Sequence, residues 1–171
     1  MFGDISNFNK VSDYLPIFNG VLISELFILI LVNVGFFKTI FLKKWYLNFS
    51  ISAVIMDVFI LVIGFIITRY LYKKIFNDYK LWKFILLFLI IQIIHDIIFY
   101  ILFEYIIPKG KNTVIDLFKK YGREVGSGAI IGDSFMVIMS SIIAALLATK
   151  KHNNNIIICI VLVYIIPYLI F

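Results

Sequence analysis

The chain has 171 residues, of which 63% are hydrophobic and only 15% are charged. Because a water-soluble domain contains about 45–50% apolar and about 25% charged residues, this composition excludes a soluble monomer, and it excludes a disordered chain for the same reason. The net charge of +6 is typical here of basic loops that face lipid headgroups, so we expect the bilayer and not nucleic acid as the partner.

Five stretches are long and apolar enough to cross a bilayer as helices, which takes about 20 residues. They are residues 17–37, 49–68, 81–107, 126–148 and 155–171. The fifth is the shortest and contains Pro167, so the sequence leaves open whether it crosses fully. The pattern predicts an all-α integral membrane bundle that forms a single transmembrane domain over residues 1–171.

The connection between the third and fourth spans predicts a short amphipathic helix over residues 112–123, lying in the membrane interface. Apolar side chains recur there at helical spacing from Val114 to Tyr121, and Asn112 or Thr113 can cap its first turn. The basic residues expected to contact lipid headgroups or a protein partner are Lys109, Lys111, Lys119, Lys120 and Arg123.

Five spans place the chain's loops on two faces of the membrane. The first face, with the N-terminus, carries Lys10, Arg69, Lys73, Lys74, Lys80, Lys83, Lys150 and Lys151. The second face carries Lys38, Lys43, Lys44, Lys109, Lys111, Lys119, Lys120 and Arg123. Orientation follows the excess of basic residues on one side, and with eight on each face the sequence selects neither.

Each of the first four spans carries one acidic residue well inside it; these are Glu25, Asp57, Asp96 and Asp133. Ionisable residues at such depth are costly and are functional candidates by default. The helical rise places the three aspartates about 10 to 16 Å from the second face, with Glu25 about 18 Å away. We therefore expect the aspartates to converge on one polar site. Its other candidate members are Gln92, His95 and Ser134.

Small residues in and before the fourth span predict where helices approach each other closely. Gly122, Gly126, Gly128 and Gly132 form two pairs spaced by four residues. Such spacing allows two backbones to come close together within a membrane.

The intramembrane acids support three hypotheses. Protonated carboxyl groups can hold helices together through hydrogen bonds, which is a structural role. The same acids, with His95 as a relay, can carry protons or cations. An Asp/His site in a membrane enzyme is the third hypothesis, and the sequence favours the first.

Enzyme motifs fit this chain poorly. The Gly-x-Gly-Asp pattern of membrane aspartyl proteases would end at Asp133 and would need glycine at position 130, where this chain has isoleucine. A Ser134–His95 dyad of the rhomboid type lacks the Gly-x-Ser-x-Gly motif that should surround the serine. A zinc or manganese site from His95, Asp57 and Asp133 is chemically reasonable but lacks ligand spacing. The single cysteine excludes a multi-cysteine site. We expect no catalytic residue, metal or cofactor.

The run from His95 to Ser134 carries a resemblance to a known group of proteins. It contains His95-Asp96-x-x-Phe99-Tyr100, Pro108-Lys109-Gly110-x-Asn112, the segment 115–119, Glu124-Val125-Gly126 and Gly132-Asp133-Ser134. These motifs resemble a family of small multi-pass membrane proteins of nucleocytoplasmic large DNA viruses. The resemblance covers roughly the C-terminal half, since the first two spans match only in type.

This resemblance implies a cellular context, because the family has no activity to transfer. It implies a structural or assembly role in the internal membrane of a virion or in the host membrane that supplies it. The partners implied are lipid and capsid or other virion proteins. A homo-oligomer stays an open alternative.

Overall fold

The structure is a computed structural model and describes residues 2–170. Met1 and Phe171 lie outside the described residues, so the last position of the fifth predicted span does too. The described residues form seven α-helices and no strand. The helices are α1 (Tyr14–Asn33), α2 (Ile40–Phe49), α3 (Ile51–Ile75), α4 (Leu81–Ile101), α5 (Thr113–Val125), α6 (Gly128–Leu147) and α7 (His152–Ile170).

Five helices are long and apolar enough to cross a membrane: α1, α3, α4, α6 and α7. A 3-10 turn, Val11–Asp13, leads into α1, and a π-helical turn, Leu102–Ile106, extends α4. The predicted all-α bundle with five spans is therefore confirmed. By chain order, α1, α4 and α7 run from the first face to the second, and α3 and α6 return.

The outer surface of the bundle is apolar, as a lipid-facing surface must be. On α3 the exposed side chains recur every fourth residue, as Ile51, Ile55, Phe59, Ile63 and Ile67. A continuous apolar stripe of this length would be an aggregation hazard in water. The protein is thus an integral multi-pass membrane protein.

The structure contains one short helix that the sequence analysis missed. The prediction left residues 38–48 as a connection, but α2 occupies most of it. At ten residues, α2 is too short to be recognised as a span. The predicted interfacial helix at 112–123 corresponds to α5, where the Asn112 side chain accepts hydrogen bonds from the amides of Val114 and Ile115 at 2.9 and 3.2 Å.

Four of the spanning helices form a closed ring. In it α1 contacts α3 and α6, and α4 contacts the same two helices from the other side. The fifth, α7, packs mainly on α1 from outside the ring. Asn19 of α1 helps to attach it, because the Asn19 amide donates a hydrogen bond of 2.8 Å to the carbonyl oxygen of Asn155.

The backbones of α1 and α6 approach each other closely at Gly20. A Cβ added at Gly20 would lie 2.7 Å from the carbonyl oxygen of Ser140 and 2.8 Å from the amide nitrogen of Ala144. Ser140 and Ala144 are themselves fully buried. Small residues on both helices therefore allow backbone contact within the membrane.

The four glycines predicted to pack helices lie elsewhere. An added Cβ at Gly132 or Gly126 meets no atom within 4 Å, and Gly126 takes a φ of +57° in the turn between α5 and α6. Gly128 lies next to Val125 of the preceding turn, and Gly122 faces the Tyr100 ring at 3.6 Å. The glycines with the tightest interhelical contacts are instead Gly20, against α6, and Gly64, against Phe88 of α4, because packing depends on which helix lies opposite.

Gly20→Ala should destabilise the bundle, because its methyl group would collide with the α6 backbone. Overpacking of this kind costs about 1–3 kcal/mol, which a lower thermal midpoint in detergent would reveal. The matched control is Gly132→Ala, where the new methyl group has open space and helix propensity improves by about 1 kcal/mol. A neutral Gly20→Ala, or a destabilised Gly132→Ala, would contradict this packing.

Candidate functional site

Two acids of the bundle, the buried Glu25 and the half-buried Asp57, receive hydrogen bonds from adjacent residues of α2. The Tyr46 hydroxyl donates to Glu25 Oε1 of α1 at 2.9 Å, and the Trp45 indole nitrogen donates to Asp57 Oδ2 of α3 at 2.7 Å. Consecutive residues on a helix point about 100° apart, so this pair can reach two different helices. The short helix α2 is thereby attached to both α1 and α3.

Burial is what makes these hydrogen bonds important. Glu25 is fully buried, and Trp45 and Tyr46 are each only 5% exposed. The pKa of the Tyr46 hydroxyl lies well above its usual value, first because it is buried and next because Glu25 and Asp57 are close. Tyr46 therefore stays protonated and acts as a hydrogen-bond donor.

Tyr121 of α5 covers the aspartates at the second face. Burial is the main reason that its pKa is raised, followed by the nearby carboxyl groups of Asp133 and Asp57 and, more weakly, Asp96. Asp57 of α3, Asp96 of α4 and Asp133 of α6 are thus all near enough to act on the charge of Tyr121. Glu25 and Asp57 likewise both act on Tyr46.

On α4 the polar residues pair with one another. Asp96 Oδ1 accepts a hydrogen bond of 2.8 Å from Gln92 and lies 3.1 Å from His95 Nδ1. The His95 ring also packs against Phe99, with ring centroids 4.2 Å apart. This group is a local contact within one helix, in contrast to the interhelical bonds of Glu25 and Asp57.

Some buried polar atoms of this cluster have no hydrogen-bond partner within residues 2–170. They are Glu25 Oε2, Asp96 Oδ2 and His95 Nε2. A buried carboxylate without donors is strongly disfavoured. These acids therefore require a shared proton, a cation or water.

Within residues 2–170, the positions of the side chains give no support to the hypothesis of a metal site. There, no three His, Cys, Asp or Glu residues are placed to hold a metal ion. Ser134 is half-buried, and no hydrogen bond within residues 2–170 joins it to His95. The arrangement offers carboxyl groups that can bind protons and hydrogen-bond donors that can satisfy them.

The basic residues around α5 divide into two groups. Lys119 donates to the carbonyl oxygen of Ile107 at 2.6 Å, and Arg123 pairs with Glu104 at the end of the third span. These two therefore fasten α5 to the π-helical turn. The remaining predicted contact residues, Lys109, Lys111 and Lys120, are exposed and available to headgroups or a partner.

Glu124 joins the two short helices. Its carboxylate accepts from the Thr39 hydroxyl and from the amides of Ile40 and Phe41 at 3.1 and 3.2 Å, so it caps the N-terminus of α2. The Trp45 and Phe118 rings pack with centroids 4.7 Å apart. Thus α2 and α5 form one layer over the second-face end of the bundle.

A buried positive charge, Arg69 of α3, was not predicted from the sequence. It is fully buried, donates to the carbonyl oxygens of Asn7 and Lys10, and lies over the Tyr14 ring at 4.3 Å. The carboxylate of Asp13 is 3.8 Å away. The prediction counted Arg69 among loop charges because it ended the second span at residue 68, before the helix does. The feature of the sequence that could have indicated this burial is that Arg69 is a lone arginine directly after an apolar run.

No protein-family model, curated protein or solved structure matches this chain.

Tyr46→Phe should destabilise the protein, because it leaves the buried Glu25 carboxyl without a donor. Loss of one partner of a buried hydrogen bond costs about 1–3 kcal/mol, measurable as a lower thermal midpoint in detergent. Tyr105→Phe is the matched control, since Tyr105 is 74% exposed. Equal midpoints for both variants would show that the Tyr46–Glu25 bond has no structural role.

The interaction of Glu124 with the N-terminus of α2 predicts that the stability of the protein depends on pH. The Thr39 hydroxyl, and then the backbone amides of Ile40 and Phe41, hold the pKa of Glu124 below its ordinary value of 4.5. A depressed folded-state pKa gives stability that is present above pH 4.5 and is lost as the pH falls through the folded value. The difference in thermal midpoint between wild type and Glu124→Gln should therefore shrink in acid.

Thermal midpoints from neutral pH to about pH 3 would test this dependence. Thr39→Val, which removes the first donor, should reduce the same pH-dependent difference. A wild type and a Glu124→Gln variant that stay equally far apart at every pH would contradict the role of Glu124 as a charged cap.

Proposed function

We propose that this chain is a structural membrane protein that acts in the assembly of a viral membrane, either within the virion or in a host membrane that supplies it. The observation that carries the structural role is the pair of bonds from Trp45 to Asp57 and from Tyr46 to Glu25. Each bond joins two different helices, and each gives a neutral donor to an acid, one buried (Glu25) and one half-buried (Asp57). Acids used in this way stabilise a fixed architecture.

The layer of α2 and α5 supports the assembly part of the proposal. It lies over one end of the bundle and exposes Lys43, Lys44, Lys109, Lys111 and Lys120. Such a basic surface suits anionic headgroups or an acidic protein partner. We assign the second face to contacts with lipid and with capsid or other virion proteins, and the viral setting rests on the motifs between His95 and Ser134.

A proton or cation carrier is the second candidate function. The unpartnered Glu25 Oε2, Asp96 Oδ2 and His95 Nε2 favour it, because a carrier needs groups that can gain and lose a proton. His95 would then relay protons to Asp96.

Substitutions at Asp57 separate these two functions. Asp57→Asn keeps an oxygen that can accept from Trp45 but cannot exchange a proton, whereas Asp57→Leu removes the acceptor. With a structural role, Asp57→Leu should lose about 1–3 kcal/mol and Asp57→Asn much less. Liposomes holding wild-type protein and a pH-sensitive dye should acidify no faster than empty liposomes. Rapid acidification that Asp57→Asn or Asp96→Asn abolishes would replace the structural function with the carrier.

The viral setting has its own test. Particles of the encoding virus should contain this protein after the capsid is stripped, together with the membrane lipid, as measured by quantitative mass spectrometry. Recovery only from host membranes that carry no assembling particles would contradict an assembly role, whatever the result at Asp57.

A further inference from the structure

A cleft at the second face lies apart from the acidic cluster. It has a volume of about 360 Å³ and is formed by the end of α1, the connection 34–39 and α2. Two kinds of side chain line it. The polar residues are Asn33, Thr39, Lys38, Lys43 and Lys44, and the apolar ones include Val32, Phe37 and Leu47.

The charge of this cleft has one sign. Three lysines line it, and no carboxylate is among its lining residues. The smaller cleft beside α5 differs, since Asp116 lies among its four basic residues and Lys119 and Arg123 are already bonded within the chain. Of these two clefts, the first combines an apolar wall with lysines that form no ion pair within residues 2–170.

The position of the cleft identifies the medium that it contacts. The chain leaves the membrane-spanning part of α1 at Asn33 and re-enters the bundle in α3 at Ile51. Residues 34–39 therefore follow directly on the end of a spanning helix, where a chain leaves the hydrocarbon for the headgroups. Gly35, with a φ of +75° and no atom within 4 Å of an added Cβ, turns the chain at the open side of the cleft.

Contacts within the chain leave only some of the cations and amides around this cleft free to bind a ligand. Glu124 occupies the amides of Ile40 and Phe41, so the N-terminus of α2 cannot hold a second anion. Lys44 lies close enough to Glu124 to lower the pKa of that carboxyl group. This leaves Lys38 and Lys43 as the principal cations for a ligand.

We propose that this cleft binds one anionic glycerophospholipid, with its phosphate between Lys38 and Lys43 and the upper part of its acyl chains against Val32, Phe37 and Leu47. The charge complementarity requires an anion, and the apolar wall requires that the anion carry hydrocarbon. A volume of about 360 Å³ suits a headgroup with the first part of its chains and lies within the usual range of ligand pockets. This binding does not depend on the protein having a viral assembly role.

Native mass spectrometry of the detergent-solubilised protein tests the proposal. Added phosphatidylglycerol should be retained as one molecule per protein in clear preference to phosphatidylcholine with the same acyl chains. Each basic residue near an anionic surface is worth about fivefold in affinity. The affinity of the double variant Lys38→Gln/Lys43→Gln for phosphatidylglycerol should therefore be about fivefold to 25-fold lower than that of wild type.

A matched control and a competitor exclude the alternatives. Lys150→Gln/Lys151→Gln removes two exposed charges from the first face and should leave retention unchanged. Glycerol 3-phosphate and inorganic phosphate, which lack hydrocarbon, should not displace the lipid at millimolar concentration. Equal loss in the control variant, equal retention of the two lipids by wild type, or displacement by either soluble phosphate would overturn the assignment.

Discussion

The architecture at the second face depends on keeping two carboxyl groups, Glu25 and Asp57, out of contact with hydrocarbon. A charged or unpartnered carboxyl group in a membrane is disfavoured by several kcal/mol, so each needs a donor that is itself shielded from water. Trp45 and Tyr46 provide these donors from one short helix. Because the two residues are adjacent, satisfying both acids also determines where α2 lies on α1 and α3. Glu124 and Phe118 then join α5 to α2, and the two helices become one layer.

At the first face, the buried charged group is positive, in contrast to the acids at the second face. Arg69 is fully buried and binds backbone carbonyl oxygens of the N-terminal segment, while Asp13 lies near its guanidinium group. An arginine suits this position because its planar group offers five donors in fixed directions. The bundle thus uses buried acids to attach a helix at one end and a buried base to attach an extended segment at the other. Between these ends, α1 and α6 come into close backbone contact at Gly20.

The second face combines two chemistries that match a membrane surface. Its exposed lysines suit anionic headgroups, and the apolar residues of α2 and of the connection before it suit acyl chains. The lysine cleft next to α2 and the acidic cluster beneath α2 share that helix. A lipid bound in the cleft would therefore contact the same helix that covers Glu25 and Asp57. The lipid composition of the membrane would in this way affect the stability of the polar cluster.

The sequence by itself determined the membrane class, the five spans, the helix α5 and the presence of an acid in each of four spans. These features follow from local composition and periodicity, which do not require knowledge of neighbours. Only the tertiary structure decided how those acids are satisfied, because Trp45 and Tyr46 are separated in sequence from Asp57 and Glu25 and belong to a helix too short to be recognised as a span. It likewise decided that Gly20 and not Gly132 makes the close contact, and that Arg69 lies in the bundle. Each of these depends on which surface lies opposite a residue, and that information is absent from any single segment.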